Sequence, residues 1–153
     1  MIKLEKEVKK EVEKLLSGKL AAGMYRLTSE ADANALLTEI REQGGIPFYF
    51  DGRAITDKAS FLRMAAAALN FPDYFGSNWD AFEECVTDLE WIAKGPRVVI
   101  YDYVSKFSEQ NQKEWGVANS ILADAAEQSK EGKAPLYVLL RHTADYGKDL
   151  PQI

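Results

Sequence analysis

Between Met64 and Ala93 the sequence carries no Lys or Arg, while Asp73, Asp80, Glu83, Glu84, Asp88 and Glu90 all fall inside that stretch. The whole chain has a net charge of -5, so this one segment concentrates the acidity of the molecule. Carboxylates at this density could work as a general acid and base, hold a divalent cation, or present an anionic face to a cationic partner. On a helical wheel at about 100° per residue, Trp79, Phe82, Val86 and Leu89 share one arc, and Asp80, Glu83, Glu84 and Asp88 share the opposite one. One side reads as core and the other as nearly pure carboxylate. Such a face is most often a solvated helix surface. Here, however, Asp80 with Glu84 and Glu84 with Asp88 are like-charge pairs at i,i+4 with no interleaved Lys, each costing a few tenths of a kcal/mol. The helix dipole favours only an acid in the first turn, which covers Asp80 and leaves Glu84 and Asp88 unrelieved. A face that tolerates its own repulsion fits a binding surface for something positive.

The other candidates for chemistry are sparse. The single His142 excludes mechanisms that need two imidazoles, and with one Cys no zinc site of the Cys and His type can be built. There is no Gly-rich phosphate loop and no nucleophile beside the His, so a carboxylate- or Mg²⁺-dependent hydrolase is the weaker reading, and no cofactor or metal is called for. An acidic protein, with pI near 5.0, argues against direct, sequence-independent nucleic-acid binding, which needs clustered Lys and Arg. The opening MIKLEKEVKK alternates charge with apolar residues, and the longest apolar run, Met64 to Leu69, is far too short for a bilayer. A cytoplasmic protein with no membrane partner is expected. Cys85 falls on the Phe82 and Leu89 side of its helix, so a buried structural thiol is expected rather than a reactive one.

The elements that must position the acidic face follow from pattern. Leu4, Val8, Val12 and Leu15 space a charged amphipathic helix over residues 1 to 17, ended by Gly18. A short strand at Met24 to Leu27 precedes a helix opened by Ser29 to Asp32, carrying Ala33, Leu36, Leu37 and Ile40 inward and closed by Gly44-Gly45. Ile46 to Phe50 is a strand that Asp51-Gly52 turns out of the sheet. Asp57 caps an Ala-rich helix that Asn70-Phe71-Pro72 stops. Ser77 to Asp80 has the capping-box form for the acidic helix, which runs to about Asp88. Arg97 to Asp102 and Pro135 to Leu140 read as strands buried on both faces, separated by one long helix over 108 to 130 with Trp115, Ala118, Ile121, Leu122 and Ala125 inward.

Strands alternating with helices imply crossovers and therefore a parallel sheet. The expected fold is α/β: a small three-stranded parallel sheet flanked by helices over residues 46 to 140, within a domain of residues 46–153. Residues 1–45 are expected as a helical extension packed on that core, with a fourth edge strand as the alternative.

The segment from Ile46 to Leu140 resembles the barstar family of intracellular ribonuclease inhibitors. The resemblance rests on the strand into Asp51-Gly52, on Ile55 and the helix after it, and above all on FPDYFGSNWDAFEECVTD, with Pro72 to Ala81 followed by Glu84 and Cys85. It implies a protein without enzymatic activity that blocks a basic toxin or secreted ribonuclease. It also implies that Tyr74, Asp80 and Glu84 face the nuclease, with Glu83, Thr87 and Asp88 beside them and Glu127 contributing from the long helix. Glu84 stands where the family has Asp, reaching one methylene further, and Glu83 stands where barstar has Trp. An acidic adaptor for a basic partner that is not a nuclease would use the same face.

Overall fold

The structure, a computed structural model, describes residues 2–70, 78–87, 95–132 and 134–153. Four strands, β1 (Gly23–Arg26), β2 (Ile46–Asp51), β3 (Arg97–Asp102) and β4 (Leu136–Arg141), pair in parallel in the order β1-β4-β3-β2. The expected three-stranded sheet is therefore corrected to four: Gly23 to Arg26 pairs with Tyr137 to Leu140. The outer edge of β1 is occupied as well. Arg26 N–H donates to Pro151 O (2.9 Å), Ile153 N–H to Arg26 O (2.9 Å) and Thr28 N–H to Ile153 O (3.0 Å). The partners of this short strand thus lie more than a hundred positions away, in β4 and in a tail without periodicity.

The central strands β3 and β4 are buried at all six positions each, as runs without polar alternation must be when helices cover both faces. Arg97, at the start of β3, is buried because its guanidinium donates to Ala134 O (2.6 and 3.1 Å). On one face Val98, Ile100, Tyr137 and Leu139 meet α1 (Ile2–Leu16) and α2 (Ala33–Glu42) through Val8, Val12, Leu15, Leu36, Leu37 and Ile40. On the other, Phe48, Phe50, Val99, Tyr101, Leu136, Val138 and Leu140 meet α3 (Lys58–Leu69), α4 (Trp79–Thr87), α5 (Val104–Gln110) and α6 (Gln112–Gln128). Handedness explains the division. The chain crosses from β1 at one edge to β2 at the other through α2, then steps back through β3 to β4. Right-handed crossovers running in opposite directions put their helices on opposite faces.

Two boundaries differ from the sequence pattern. The expected helix over 108 to 130 is two helices: Asn111 (φ -150°, ψ 72°) breaks the path, and its side chain accepts from Glu114 N–H. The bend lets Phe107 on α5 and Trp115 on α6 reach the same core, with ring centroids 5.9 Å apart. The helix expected to open at Ser29 begins at Ala33 instead, because the carbonyls of Ser29 and Ala31 are turned to accept from Arg141 Nη1 (3.1 and 2.6 Å). Ala33, expected inward, is only half-buried, while Leu36, Leu37 and Ile40 are buried.

Candidate functional site

The acidic helix α4 begins with Asn78. Its carbonyl accepts from Phe82 N–H (3.0 Å) and its Oδ1 from Ala81 N–H (2.8 Å), so Asn78 is the capping residue, one position later than the Ser77 of the sequence pattern. Phe82, Cys85 and Val86 are buried in the core that α4 shares with α3 and α6, as the wheel requires, and Trp79 is half-buried beside Phe61 and Phe82 (5.6 and 6.2 Å between centroids). Asp80, Glu83, Glu84 and Thr87 are exposed. Among the described residues no ion pair engages Asp80, Glu83 or Glu84, and α4 carries no basic residue. The carboxylates therefore stand together over an apolar base, available to a cation.

What holds that base is a contact the sequence pattern did not single out. The indole N–H of Trp79 donates to Glu114 Oε2 (2.8 Å) in the first turn of α6, and the Lys58 ammonium, in the first turn of α3, lies 5.7 Å from the Trp79 ring centroid. The first turns of α3, α4 and α6 thus meet at one end of the molecule, the end at which β2 and β3 finish. Seen in the sequence, Glu114 is simply an acid in the first turn of a helix, and only the fold brings Trp79 to it.

Of the remaining expected contact residues, Glu127 is exposed near the end of α6, ion-paired with Lys130 (2.8 Å). That partner raises the Lys130 pKa through the hydrogen bond and the charge of Glu127. Tyr74 and Asp88 lie outside the described residues, as do Asp73 and Glu90. Cys85 is buried, which agrees with the structural reading of its thiol. Among the described residues no group of His, Cys, Asp and Glu is arranged to hold a metal ion, and no helix is long and apolar enough to cross a membrane.

A second polar cluster sits where the strands end. The buried Arg141 forms a fork with the buried Asp102 (Nε to Oδ1 2.6 Å, Nη2 to Oδ2 2.8 Å), and the Tyr49 hydroxyl donates to Asp102 Oδ2 (2.8 Å). Burial, and then the hydrogen bond to the Asp102 carboxylate, push the Tyr49 phenol well above its ordinary pKa. Both Asp102 oxygens are engaged within the protein. A signal for the cluster was in the sequence: two apolar strands each end on a charge, Asp102 and Arg141, and buried charges must be paired.

A family model described as "Barstar (barnase inhibitor)" matches residues 45–141. Among curated proteins, none matches the sequence. Solved structures share the fold across most of the chain. "Structure of the Aeropyrum Pernix ORC2 protein (ADP form)" has a TM-score of 0.57 and 9% identity, covering 91% of this chain and 40% of that one. The same protein described as "ADPNP-ADP complexes" has 0.58 and 13%, covering 91% and 39%. "Structure of Drosophila ORC bound to GC-rich DNA and Cdc6" has 0.55 and 9%, covering 90% and 24%. The chain therefore spans about two-fifths or less of the length of these proteins. At such identities the likeness is one of fold.

Proposed function

Because this chain belongs to the barstar family, we propose that it is an intracellular, stoichiometric protein inhibitor of a basic ribonuclease. It blocks the nuclease by presenting the exposed carboxylates of α4 where RNA phosphates would otherwise sit. The observation that carries this reading is the state of Asp80, Glu83 and Glu84, which are exposed, free of ion pairs among the described residues and mounted on a helix with no compensating cation. Carboxylates so arranged speed encounter with a cationic surface and disfavour neutral or acidic partners. Glu84 is the residue that enters the nuclease site, with Tyr74 and Asp80 flanking it. Glu83, Thr87 and Asp88 extend the contact along the helix, and Glu127 extends it on α6. Glu84 in place of the family's Asp reaches one methylene further, and Glu83 in place of its Trp removes an aromatic contact and adds charge, so the target's pocket differs from or is shifted against that of the nuclease that barstar meets.

Inhibition by occupancy needs no turnover. The fold neighbours give no ground for nucleotide hydrolysis here, since the Leu27–Asp32 connection contains no glycine and both Asp102 oxygens are held by Arg141 and Tyr49. The test is affinity capture from the lysate and the secreted fraction of the source organism with wild type and Glu84→Ala, followed by an RNA-cleavage assay on the captured protein. Loss of all RNase activity at one equivalent of wild type, and not of the variant, is the expected result. A partner held through this face that cleaves no RNA would make the protein an acidic adaptor instead.

A further inference from the structure

The carboxyl end of the sheet carries a construction that the inhibitor reading does not use. Of the four non-glycine residues with positive φ among those described, three lie here: Tyr103 (58°), His142 (51°) and Ala144 (51°). Tyr103 and His142 are the residues immediately after β3 and β4. A left-handed backbone is unfavourable for a side chain with a Cβ, and it persists where surrounding structure enforces it, commonly at ligand sites. Its effect here is to lay two rings on one another, with Tyr103 and His142 centroids 4.6 Å apart and 13° from parallel. The Arg53 guanidinium covers Tyr103 at 5.0 Å and is itself fixed by a fork to Asp51 (Nε to Oδ1 3.0 Å, Nη2 to Oδ2 2.9 Å). The result is a ladder of three planar groups with exposed Arg53 and His142 at its two ends.

At the His142 end the ladder borders a polar pocket of about 240 Å³, whose walls include Arg26, Thr28, Glu30, Arg141 and Thr143. The pocket opens between the ends of β1 and β4. On either side of β4 the chain leaves the sheet in opposite directions, from β1 towards the α2 face and from β3 towards the α5 and α6 face. A crevice of this kind, at the carboxyl edge where crossovers diverge, is the usual ligand position in open parallel sheets. Its floor is rigid, because Arg141 is committed to Asp102 and to the carbonyls of Ser29 and Ala31.

We propose that this pocket binds a ribonucleoside monophosphate. The base would extend the ladder against His142, the ribose hydroxyls would donate to Glu30, and Arg26 would take the phosphate. A planar ring accounts for the stacked end, a hydrogen-bond donor for the carboxylate, and an anion for the Arg26 guanidinium, whose Nη2 already donates to Gln152 Oε1 (2.7 Å) and whose remaining N–H groups would take the phosphate. The volume lies below the roughly 300 Å³ at which pockets for larger ligands begin, which suits one nucleotide and not two. A net charge of -5 disfavours an RNA strand and leaves the free mononucleotide as the occupant.

The experiment uses the only histidine of the chain. Its imidazole C–H signals in proton NMR need no assignment, and a base stacked on the ring moves them upfield. Full-length protein is titrated with AMP, GMP, CMP and UMP, with adenosine and inorganic phosphate as separate arms. A saturable upfield movement with at least one mononucleotide is expected, with affinity about tenfold weaker in Glu30→Gln and in Arg26→Gln, a loss of one hydrogen-bonded contact each. Glu30 is exposed and Arg26 half-buried, and the folding of both variants is checked by circular dichroism. No movement at millimolar nucleotide, an equal response to inorganic phosphate alone, or unchanged affinity in both variants would overturn the proposal. None of these outcomes depends on α4, so the inhibitor reading stands or falls separately.

Discussion

The Trp79 indole N–H donates to the Glu114 carboxylate at 2.8 Å, so the acidic helix hangs from the first turn of α6 by its own first residue. Because Trp79 is half-buried, removing the acceptor leaves an indole donor that water reaches only in part. Glu114→Ala is expected to lower stability by about 1 to 3 kcal/mol, the cost of an unsatisfied donor, whereas Glu114→Gln keeps an acceptor oxygen and loses less. Urea unfolding followed by tryptophan fluorescence measures both.

Glu84 is expected to oppose stability and binding in opposite senses. Glu84→Gln removes its i,i+4 repulsion with Asp80 and should raise the unfolding free energy by about 0.2 to 0.5 kcal/mol. Against a ribonuclease that buries this carboxylate, Glu84→Ala should weaken binding by about 2 to 5 kcal/mol, the range general to desolvated charge pairs, barstar's own complex among the cases that define it. Denaturant midpoints and the inhibition constant, read on the two variants and wild type, check both signs.

Asp102 and Arg141 are each buried, with side chains 3% and 4% exposed. Asp102→Ala leaves Arg141 charged and uncompensated beneath the strand ends, and a loss of about 3 to 5 kcal/mol is expected. Replacing both residues together with apolar side chains of similar volume should cost less than the single change. Chemical denaturation of the three proteins tests the ordering.

At Gly52 an added Cβ would meet the carbonyl oxygens of Asp102 and Tyr103, which are backbone atoms and cannot rotate away. Gly52→Ala should therefore force β2 and β3 apart at their carboxyl ends. The variant is expected to unfold at clearly lower temperature than wild type, and to lose the ring-current signature of the Tyr103–His142 stack in its proton spectrum.

Two carboxylates, half-buried Asp51 and exposed Asp57, contribute to the acid limb of stability. The hydrogen bond from Arg53 lowers the Asp51 pKa, and the backbone N–H of Ser60 lowers that of Asp57, both below the ordinary 3.8. Since the folded values lie below the unfolded ones, both contributions are fully present above 3.8 and fade as pH falls through the folded values. The melting temperature of Asp51→Asn and Asp57→Asn proteins should accordingly depend less on pH in this window than that of wild type.

The acidic face could be read from the sequence because it depends on one helix alone: 3.6-residue periodicity separates Phe82 and Val86 from Asp80, Glu83 and Glu84 without knowledge of any neighbour. β3 and β4 were equally legible, since six consecutive buried residues leave little else to be. β1 was ambiguous because four residues carry little pattern and their pairing depends on Tyr137 to Leu140. The division of α5 from α6 was not legible, since the inward spacing of Trp115, Ala118, Ile121, Leu122 and Ala125 suits one continuous helix over 108 to 130 until Asn111 is seen to turn the chain. The Tyr103–His142 stack, between residues 39 positions apart, had no local signature at all.

The hydrogen bonds of residues 151 to 153 to the edge of β1 also set an order of assembly. β2, α3, α4 and β3 are contiguous in sequence and can come together while the chain is still being made. β1 has to wait for β4 on one side and for the last residues on the other, and loop closure over such separations is slow. Of the four strands, β1 is therefore the last that can complete its pairing on both sides.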